Sequence, residues 1–160
     1  MKISIPHPVT CSMATQSDIE FIYDCLFNLF DEDNQLENFS QTQETLFEAL
    51  FSSKAFAECI VAQINNKPVG ILLFSVTQLN FTHFPSPGVY VHDIYVFPEY
   101  RRMGVARHLG DYIKKIALER NFCRIDGIIL KNNQNALAFY QNIQDLNVLD
   151  YIYYTRLKLK

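Results

Sequence analysis

Residues 89–130 constrain the fold most strongly. Their sequence predicts, in succession, an apolar strand, a basic turn, an amphipathic helix and a second apolar strand. The strands are predicted at Val89–Val96 and Ile125–Leu130. Between them, apolar residues recur at helical spacing over Val105–Glu119. A strand–helix–strand crossover sets its two strands side by side and parallel. The sequence therefore predicts a sheet with at least one parallel pair.

Other segments add antiparallel strands and further helices. Asn65-Asn66-Lys67-Pro68 has turn chemistry between the apolar runs Ala57–Ile64 and Val69–Val76, which predicts an antiparallel hairpin. We see neither an internal repeat nor a linker, so a single domain is expected over residues 1–160. The remaining predicted elements are a strand at Val9–Met13, a helix capped by Thr15 or Ser17, a helix from Thr42, a helix at Asn133–Asn142 and a strand at Ile152–Leu159.

The composition indicates a globular chain without a nucleic-acid or membrane partner. Of 160 residues, 49% are hydrophobic and 19% charged, and the net charge is −3, so there is no basic excess. Apolar runs of about 18 residues are absent, and residues 1–6 lack the apolar core of a signal peptide, so a cytoplasmic protein is expected. The four cysteines are widely spaced among apolar neighbours and are expected to be reduced core thiols: Cys11, Cys25, Cys59 and Cys123.

The turn before the central helix has the residues of a phosphate site. The first N–H groups of a helix lack intrahelical partners, and the helix dipole adds positive potential there. Gly104 and Ala106 leave room for a diphosphate to approach the main chain, while Arg101, Arg102 and Arg107 add positive charge. The glycine patterns of dinucleotide-binding folds and P-loops are not present. An ordinary loop with solvated arginines remains the alternative.

Two motifs together resemble those of the GNAT N-acetyltransferase superfamily. Arg101-x-x-Gly104-x-Ala106 is similar to its acetyl-CoA diphosphate loop, and Asn133-x-x-Ala136-x-x-Phe139-Tyr140 is similar to its second motif, in which an Asn opens a helix that carries a Tyr. The resemblance implies an α/β (α+β) fold with about four helices and a mixed central sheet of about six to seven strands, two of them parallel and splayed. It also implies acetyl-CoA as co-substrate and no metal.

One branch of the superfamily is more similar than the rest. Residues 93–101, Asp-Ile-Tyr-Val-x-Pro-Glu-Tyr-Arg, resemble the branch of diamine (spermidine/spermine) and thialysine acetyltransferases. That branch usually has a Glu where this chain has His92, and a Gly where it has Gln144. The relatives of this branch are dimers, and Tyr151, Tyr153 and Tyr154 could pack between subunits, so a homodimer is expected.

The resemblance implies roles for named residues. An amine with a pKa near ~10.4 is almost wholly protonated at pH 7, and only its neutral form attacks a thioester, so a base must remove a proton. His92 is the implied base and Tyr140 the implied general acid. Asp93, Asp31 and Glu32, with His92, are expected to receive a cationic acceptor. With regular pairing, His92 and Asp93 point to opposite faces and one of them faces the cleft, whereas a strand bulge, which the resembling family has nearby, would let both approach it.

The implied acetyl-CoA site combines the basic turn with the strand before it and the helix of the second motif. Its expected residues are Ile94, Tyr95, Val96, Arg101, Arg102, Met103, Gly104, Val105, Ala106, Arg107, Asn133, Ala136 and Tyr140. The expected function is acetyl transfer from acetyl-CoA to a primary amine of a polyamine, diamine or lysine-like acceptor. The alternatives are a protein or peptide N-acetyltransferase, or an acyl-CoA-binding regulatory module without catalysis.

Overall fold

The computed structural model describes residues 8–159, and a mixed β-sheet is formed by strands that lie between residues 9 and 127. Residues 1–6, for which the sequence predicts no signal peptide, lie outside the described residues. The strands follow chain order across the sheet, antiparallel from the first to the fourth and parallel between the last two. They are β1 (Val9–Met13), β2 (Glu58–Ile64), β3 (Lys67–Thr77), β4 (Gly88–Val96) and β5 (Ile125–Gly127).

Residues 8–159 contain four α-helices, as the resemblance implied. They are α1 (Ile19–Glu32), α2 (Gln43–Phe51), α3 (Val105–Glu119) and α4 (Gln134–Gln141). The predicted parallel crossover is confirmed, because α3 connects β4 to β5. The mixed α/β class is therefore confirmed.

Local capping and turn residues explain where several elements begin. Thr42 Oγ1 accepts a hydrogen bond of 3.1 Å from the Thr45 N–H, and the Thr42 N–H donates to Thr45 Oγ1 at 2.8 Å, so α2 starts on a reciprocal cap. Between β2 and β3, Asn65 and Asn66 have φ of 52° and 62°. Two successive left-handed residues form the hairpin turn that matches the twist of paired strands.

The core has two layers, one on each face of the sheet. On one face, α3 packs its apolar side against the strands through Val105, Leu109, Ile113, Ile116 and Ala117. On the other face, α1 and α2 cover strand residues around a second cluster of Ile22, Cys25, Leu26, Leu46, Leu50, Cys59, Val61, Ile71 and Tyr95. Because side chains of a strand alternate between faces, β3 contributes to both layers.

The described chain forms two compact units, one ending at Gly127 and the other beginning at Ile128. The second unit contains α4, and the single-domain expectation stays a prediction. The predicted strand at Ile152–Leu159 is wrong, since these residues adopt no strand and are exposed. Alternating side chains indicate a strand only where a neighbour can pair with the backbone. The expected six to seven strands are thus corrected to five within residues 8–159.

The cysteines are reduced, as predicted, but one of them is not in the core. Cys25 and Cys59 are buried and Cys11 is half-buried. Cys123 is exposed, because it lies in the connection from α3 to β5, and its Sγ lies 3.1 Å from the Ser86 carbonyl oxygen. Among the described residues, the helices are all too short or too polar to cross a membrane.

Two glycine substitutions should affect stability in opposite directions. A Cβ on buried Gly70 would lie 2.7 Å from the Tyr95 carbonyl oxygen on β4, so Gly70→Ala should cost about 1–3 kcal/mol of unfolding free energy. Gly110, inside α3, has open space around it, so Gly110→Ala should add about 0.5–1 kcal/mol. Urea denaturation of both variants measures this. Equal effects of the two substitutions would contradict the described packing.

Candidate active site

A β-bulge in β4 places two ionisable side chains on the same face of the sheet. Asp93 pairs with Leu73 and Val91 pairs with the next residue of β3, which leaves His92 as an extra residue. Val91 and Ile94 both pack against the α3 layer. The two residues between them therefore face the opposite layer, which α1 and α2 cover. Of the two arrangements that the sequence left open, the strand thus adopts the bulge.

His92 contacts two neighbours on that face. Its Nε2 lies 2.9 Å from Ser75 Oγ, and its ring meets the Tyr90 ring at 4.9 Å between centroids. Desolvation lowers the pKa of His92 from its ordinary 6.5, so the neutral imidazole predominates at pH 7. When Nε2 donates to Ser75, Nδ1 has a lone pair that can accept a proton.

Asp93 is a carboxyl group that titrates close to neutral pH. Burial, followed by the charge of Asp33, raises its pKa from 3.8 to about 6. Its carboxyl is therefore mostly ionised at pH 7 and mostly protonated at pH 5. One face of the sheet thus carries an imidazole and a carboxyl group whose ionisation changes near pH 6.

The end of α1 carries acidic residues in an unfavourable position. Asp31 and Glu32 lie in its last turn, Asp33 is the C-cap, and the last turn contains no basic residue. The C-terminus of a helix has a partial negative charge, so carboxylates there destabilise the helix. Asp31 is exposed. Asp33 is the member of this run whose charge reaches Asp93.

Arg101 and Glu32, which the sequence assigned to the cofactor and to the acceptor, contact each other. Arg101 Nη2 lies 2.6 Å from Glu32 Oε2, and Arg101 Nε donates to the Val96 carbonyl oxygen at 2.8 Å. The Tyr95 hydroxyl donates to Glu32 Oε1 at 2.7 Å. The assigned ligand roles of Arg101 and Glu32 stay predictions.

The turn into α3 exposes main-chain N–H groups, as its sequence predicts. Arg102 and Gly104 have φ of 62° and 81°, so the chain twice enters the left-handed region before the helix. The His108 N–H donates to the Gly104 carbonyl at 3.1 Å, so the N–H groups of residues 105–107 precede the first hydrogen bond of the helix. The side chains of Arg102, Met103 and Arg107 are exposed at this end, whereas Val105 is buried and Ala106 is half-buried.

The second half of β4 is paired on one side by β3. Pairing with β5 ends at Val91 and Gly127, whereas pairing with β3 continues to Val96. The bulge follows directly on the last residue paired with β5, and a bulge bends and twists its strand. Within the described strands, the stretch Ile94–Val96 thus has one sheet neighbour.

The residues of the second predicted motif lie on α4 in the second unit. Asn133 caps this helix, because its Oδ1 accepts from the Ala136 N–H at 3.0 Å. Tyr140 lies in the same helix, and its ring packs edge-on against Phe139 with centroids 5.2 Å apart. Their roles toward acetyl-CoA stay predictions.

Arg124 fixes the loop between β3 and β4, which starts shortly after Ser75. Its side chain is 9% exposed, its guanidinium donates to the carbonyl oxygens of Leu79 and Ser86, and Nε pairs with Asp126 at 2.8 Å. The guanidinium carbon also lies 4.1 Å from the centre of the Phe84 ring. The loop is therefore held to β5 at three points along its length.

Comparison with known proteins decides the family. A model of the acetyltransferase (GNAT) family matches residues 23–144. This chain belongs to the GNAT acetyltransferase family. The resemblance inferred from its two motifs is thereby confirmed.

Two relatives of this GNAT chain are thialysine N-epsilon-acetyltransferases, which supports the branch that residues 93–101 resemble. The Caenorhabditis elegans protein is 31% identical over 90 residues, 55% of this chain and 53% of that protein. The Bos taurus protein is 26% identical over 136 residues, 77% of this chain and 80% of that protein. The match to the nematode relative thus spans about half of its length.

A solved structure confirms the GNAT fold. An aminoglycoside N-acetyltransferase in complex with CoA superposes with a TM-score of 0.72 at 16% identity, over 96% of this chain and 98% of that chain. Such a low identity shows the fold alone.

Sequence reasoning missed several residues around the site. Asp33 belongs to the acidic run visible in the sequence. Only the structure shows that Asp33, and not Asp31 or Glu32, is the member whose charge acts on Asp93. Ser75 and Arg124 gave no motif signal, since their contacts join segments far apart in the chain. His108 Nδ1 lies 2.9 Å from the Gly104 carbonyl oxygen, a helical spacing of four residues that could have been noticed.

Asp93→Asn should stabilise the fold at pH 7. The folded-state pKa of about 6 exceeds the ordinary 3.8, so the folded state binds more protons between these values and ionised Asp93 destabilises it above them. A neutral Asn removes that penalty, on the order of 1–3 kcal/mol. Thermal denaturation should show a higher Tm at pH 7 and a smaller gain at pH 4.5. A gain independent of pH would contradict the raised pKa.

Proposed function

We propose that this GNAT chain transfers the acetyl group of acetyl-CoA to a primary amine of a small acceptor that carries a second positive charge. The bulge in β4 carries the proposal, because it sets His92 and Asp93 side by side on the face near the acidic end of α1. A proton acceptor and a site for an ammonium group then lie on the strand that leads directly into the anion-binding turn.

The residues of the turn and of β4 fit coenzyme A. The N–H groups of residues 105–107 precede the hydrogen bonds of α3 and suit a diphosphate, and exposed Arg102 and Arg107 add positive charge. Ile94–Val96, with β3 on one side, can offer main-chain groups to an extended amide-bearing arm. Acetyl-CoA supplies a thioester carbonyl as the acetyl donor. The roles of Asn133 and Ala136 toward acetyl-CoA stay predictions from the sequence.

The acceptor end of the site favours a cation. Three carboxylates lie at the negative end of the α1 dipole, and Asp33 and Asp93 repel each other. A bound ammonium group would relieve this repulsion and would keep Asp93 ionised by lowering its pKa. An acceptor with two separated ammonium groups could engage both β4 and the end of α1. This charge pattern supports a diamine or lysine-like acceptor.

Proton transfer follows from the same residues. His92 is neutral at pH 7 and can take the ammonium proton at Nδ1 while Nε2 donates to Ser75. Tyr140 is proposed to donate its phenolic proton to the departing thiolate. A homodimer and a cytoplasmic location stay predictions.

Acceptor preference tests the proposed function. With acetyl-CoA and a panel of spermidine, diamines, thialysine, amino acids and aminoglycosides, release of free thiol should be fastest for acceptors with a second cation near the reacting amine. Asp33→Asn should raise the KM of a dicationic acceptor on the order of 3–10-fold, as for a partly exposed ion pair. Glu37→Gln, an exposed change just beyond α1, is the control. A clear preference for a neutral or anionic acceptor would refute the proposal.

Tyr140→Phe tests the general acid separately. Removal of the hydroxyl should lower kcat roughly 10²-fold or more, with little change in the affinity for CoA, because the proton donor acts on the leaving thiolate. Thiol-release kinetics and calorimetry of CoA binding measure the two quantities. An unchanged kcat would exclude Tyr140 from the mechanism.

A further inference from the structure

One guanidinium connects the acidic end of α1 to the turn that precedes α3. Arg101 reaches Glu32 with Nη2 and the last carbonyl of β4, that of Val96, with Nε. Glu32 uses both of its oxygens, one for Arg101 and the other for the hydroxyl of Tyr95. The Arg101 guanidinium also lies 5.5 Å from the centre of the Tyr95 ring.

Because of these contacts, a ligand meets Arg101 and Glu32 as an ion pair and not as two independent charges. The carboxylate of Glu32 is neutralised by Arg101, and the orientation of the guanidinium is fixed by two acceptors on different elements. Tyr95 is 3% exposed and belongs to the core under α1 and α2, so its hydroxyl anchors the pair to a rigid base. Arg102 and Arg107 are further exposed cations at the turn.

We propose that Arg101 and Glu32 form a positioning pair that holds the anion-binding turn in its ligand-ready shape. The pair ties the start of the turn, at the Val96 carbonyl, to Arg101, which directly precedes the segment with left-handed Arg102 and Gly104. Left-handed φ at a non-glycine residue is strained, so the surrounding contacts must maintain it. Arg101 then acts on CoA through the main chain rather than by contact with the diphosphate.

The same pair couples the two ends of the site. Glu32 directly precedes Asp33, whose charge acts on Asp93, so the acceptor end and the cofactor end share one ion pair. The side chains of Arg101 and Glu32 are 43% and 38% exposed, so their removal should leave the fold intact. This makes the pair accessible to mutation without loss of the folded protein.

A comparison of two variants decides between positioning and direct contact. If the pair positions the turn, Glu32→Gln should weaken CoA binding about 10-fold, although it removes a negative charge near an anionic ligand. Arg101→Gln should weaken it similarly, and the double variant should be no weaker than Arg101→Gln alone. Direct contact of Arg101 with the diphosphate predicts instead that Glu32→Gln leaves affinity unchanged or increases it. Titration calorimetry with CoA measures each affinity.

Two further measurements isolate the inference. Tyr95→Phe removes only the hydroxyl that orients Glu32 and should weaken CoA binding 2–3-fold, whereas the control Glu37→Gln should leave it unchanged. Hydrogen exchange of the amides of residues 101–107 should accelerate in Glu32→Gln without any ligand. The inference rests on the proposed function, but failure of the wild-type chain to bind CoA would overturn that function alone, and unchanged exchange rates in Glu32→Gln would overturn the positioning role.

Discussion

The extra residue in β4 is the constraint on which the candidate site depends. Without it, strict alternation would send His92 and Asp93 to opposite faces of the sheet. With it, Val91 and Ile94 both remain in the α3 layer while the two polar residues share the other face. The sheet therefore keeps its apolar core and still gathers two proton-binding groups at one place. The bulge also lies where pairing with β5 ends, so a single irregularity shapes both the acceptor side and the cofactor side.

Electrostatic strain is concentrated around this point. The carboxylates at the end of α1 oppose the helix dipole, and Asp93 is partly removed from water beside one of them. Within residues 8–159, the ion pair of Glu32 with Arg101 is the one that directly relieves a member of this run. Asp33 and Asp93 retain an unfavourable interaction that a cationic ligand would remove. Stability given up at a binding site in this way is a common physical signature of function.

The elements were largely predictable because their signals are local. The bounds of β1 and α3 agree with periodicity and capping residues, and the hairpin agrees with the Asn65-Asn66 turn. The strand at Ile152–Leu159 was not predictable in this way, since alternation describes a side-chain pattern and does not supply a pairing partner. The contact of Glu32 with Arg101 joins residues far apart in the chain, so only the tertiary structure shows that these two charges neutralise each other.

The attachment of the β3–β4 loop to Arg124 affects how a small molecule can enter. A loop held by one guanidinium through two of its carbonyl oxygens and an aromatic ring has less conformational entropy to lose than a loop without these contacts. A ligand that contacts this loop therefore binds to a segment that is already ordered, and the loop does not have to fold over the ligand first. Selection among acceptors by size and shape can then occur at the first encounter, before any chemical step begins.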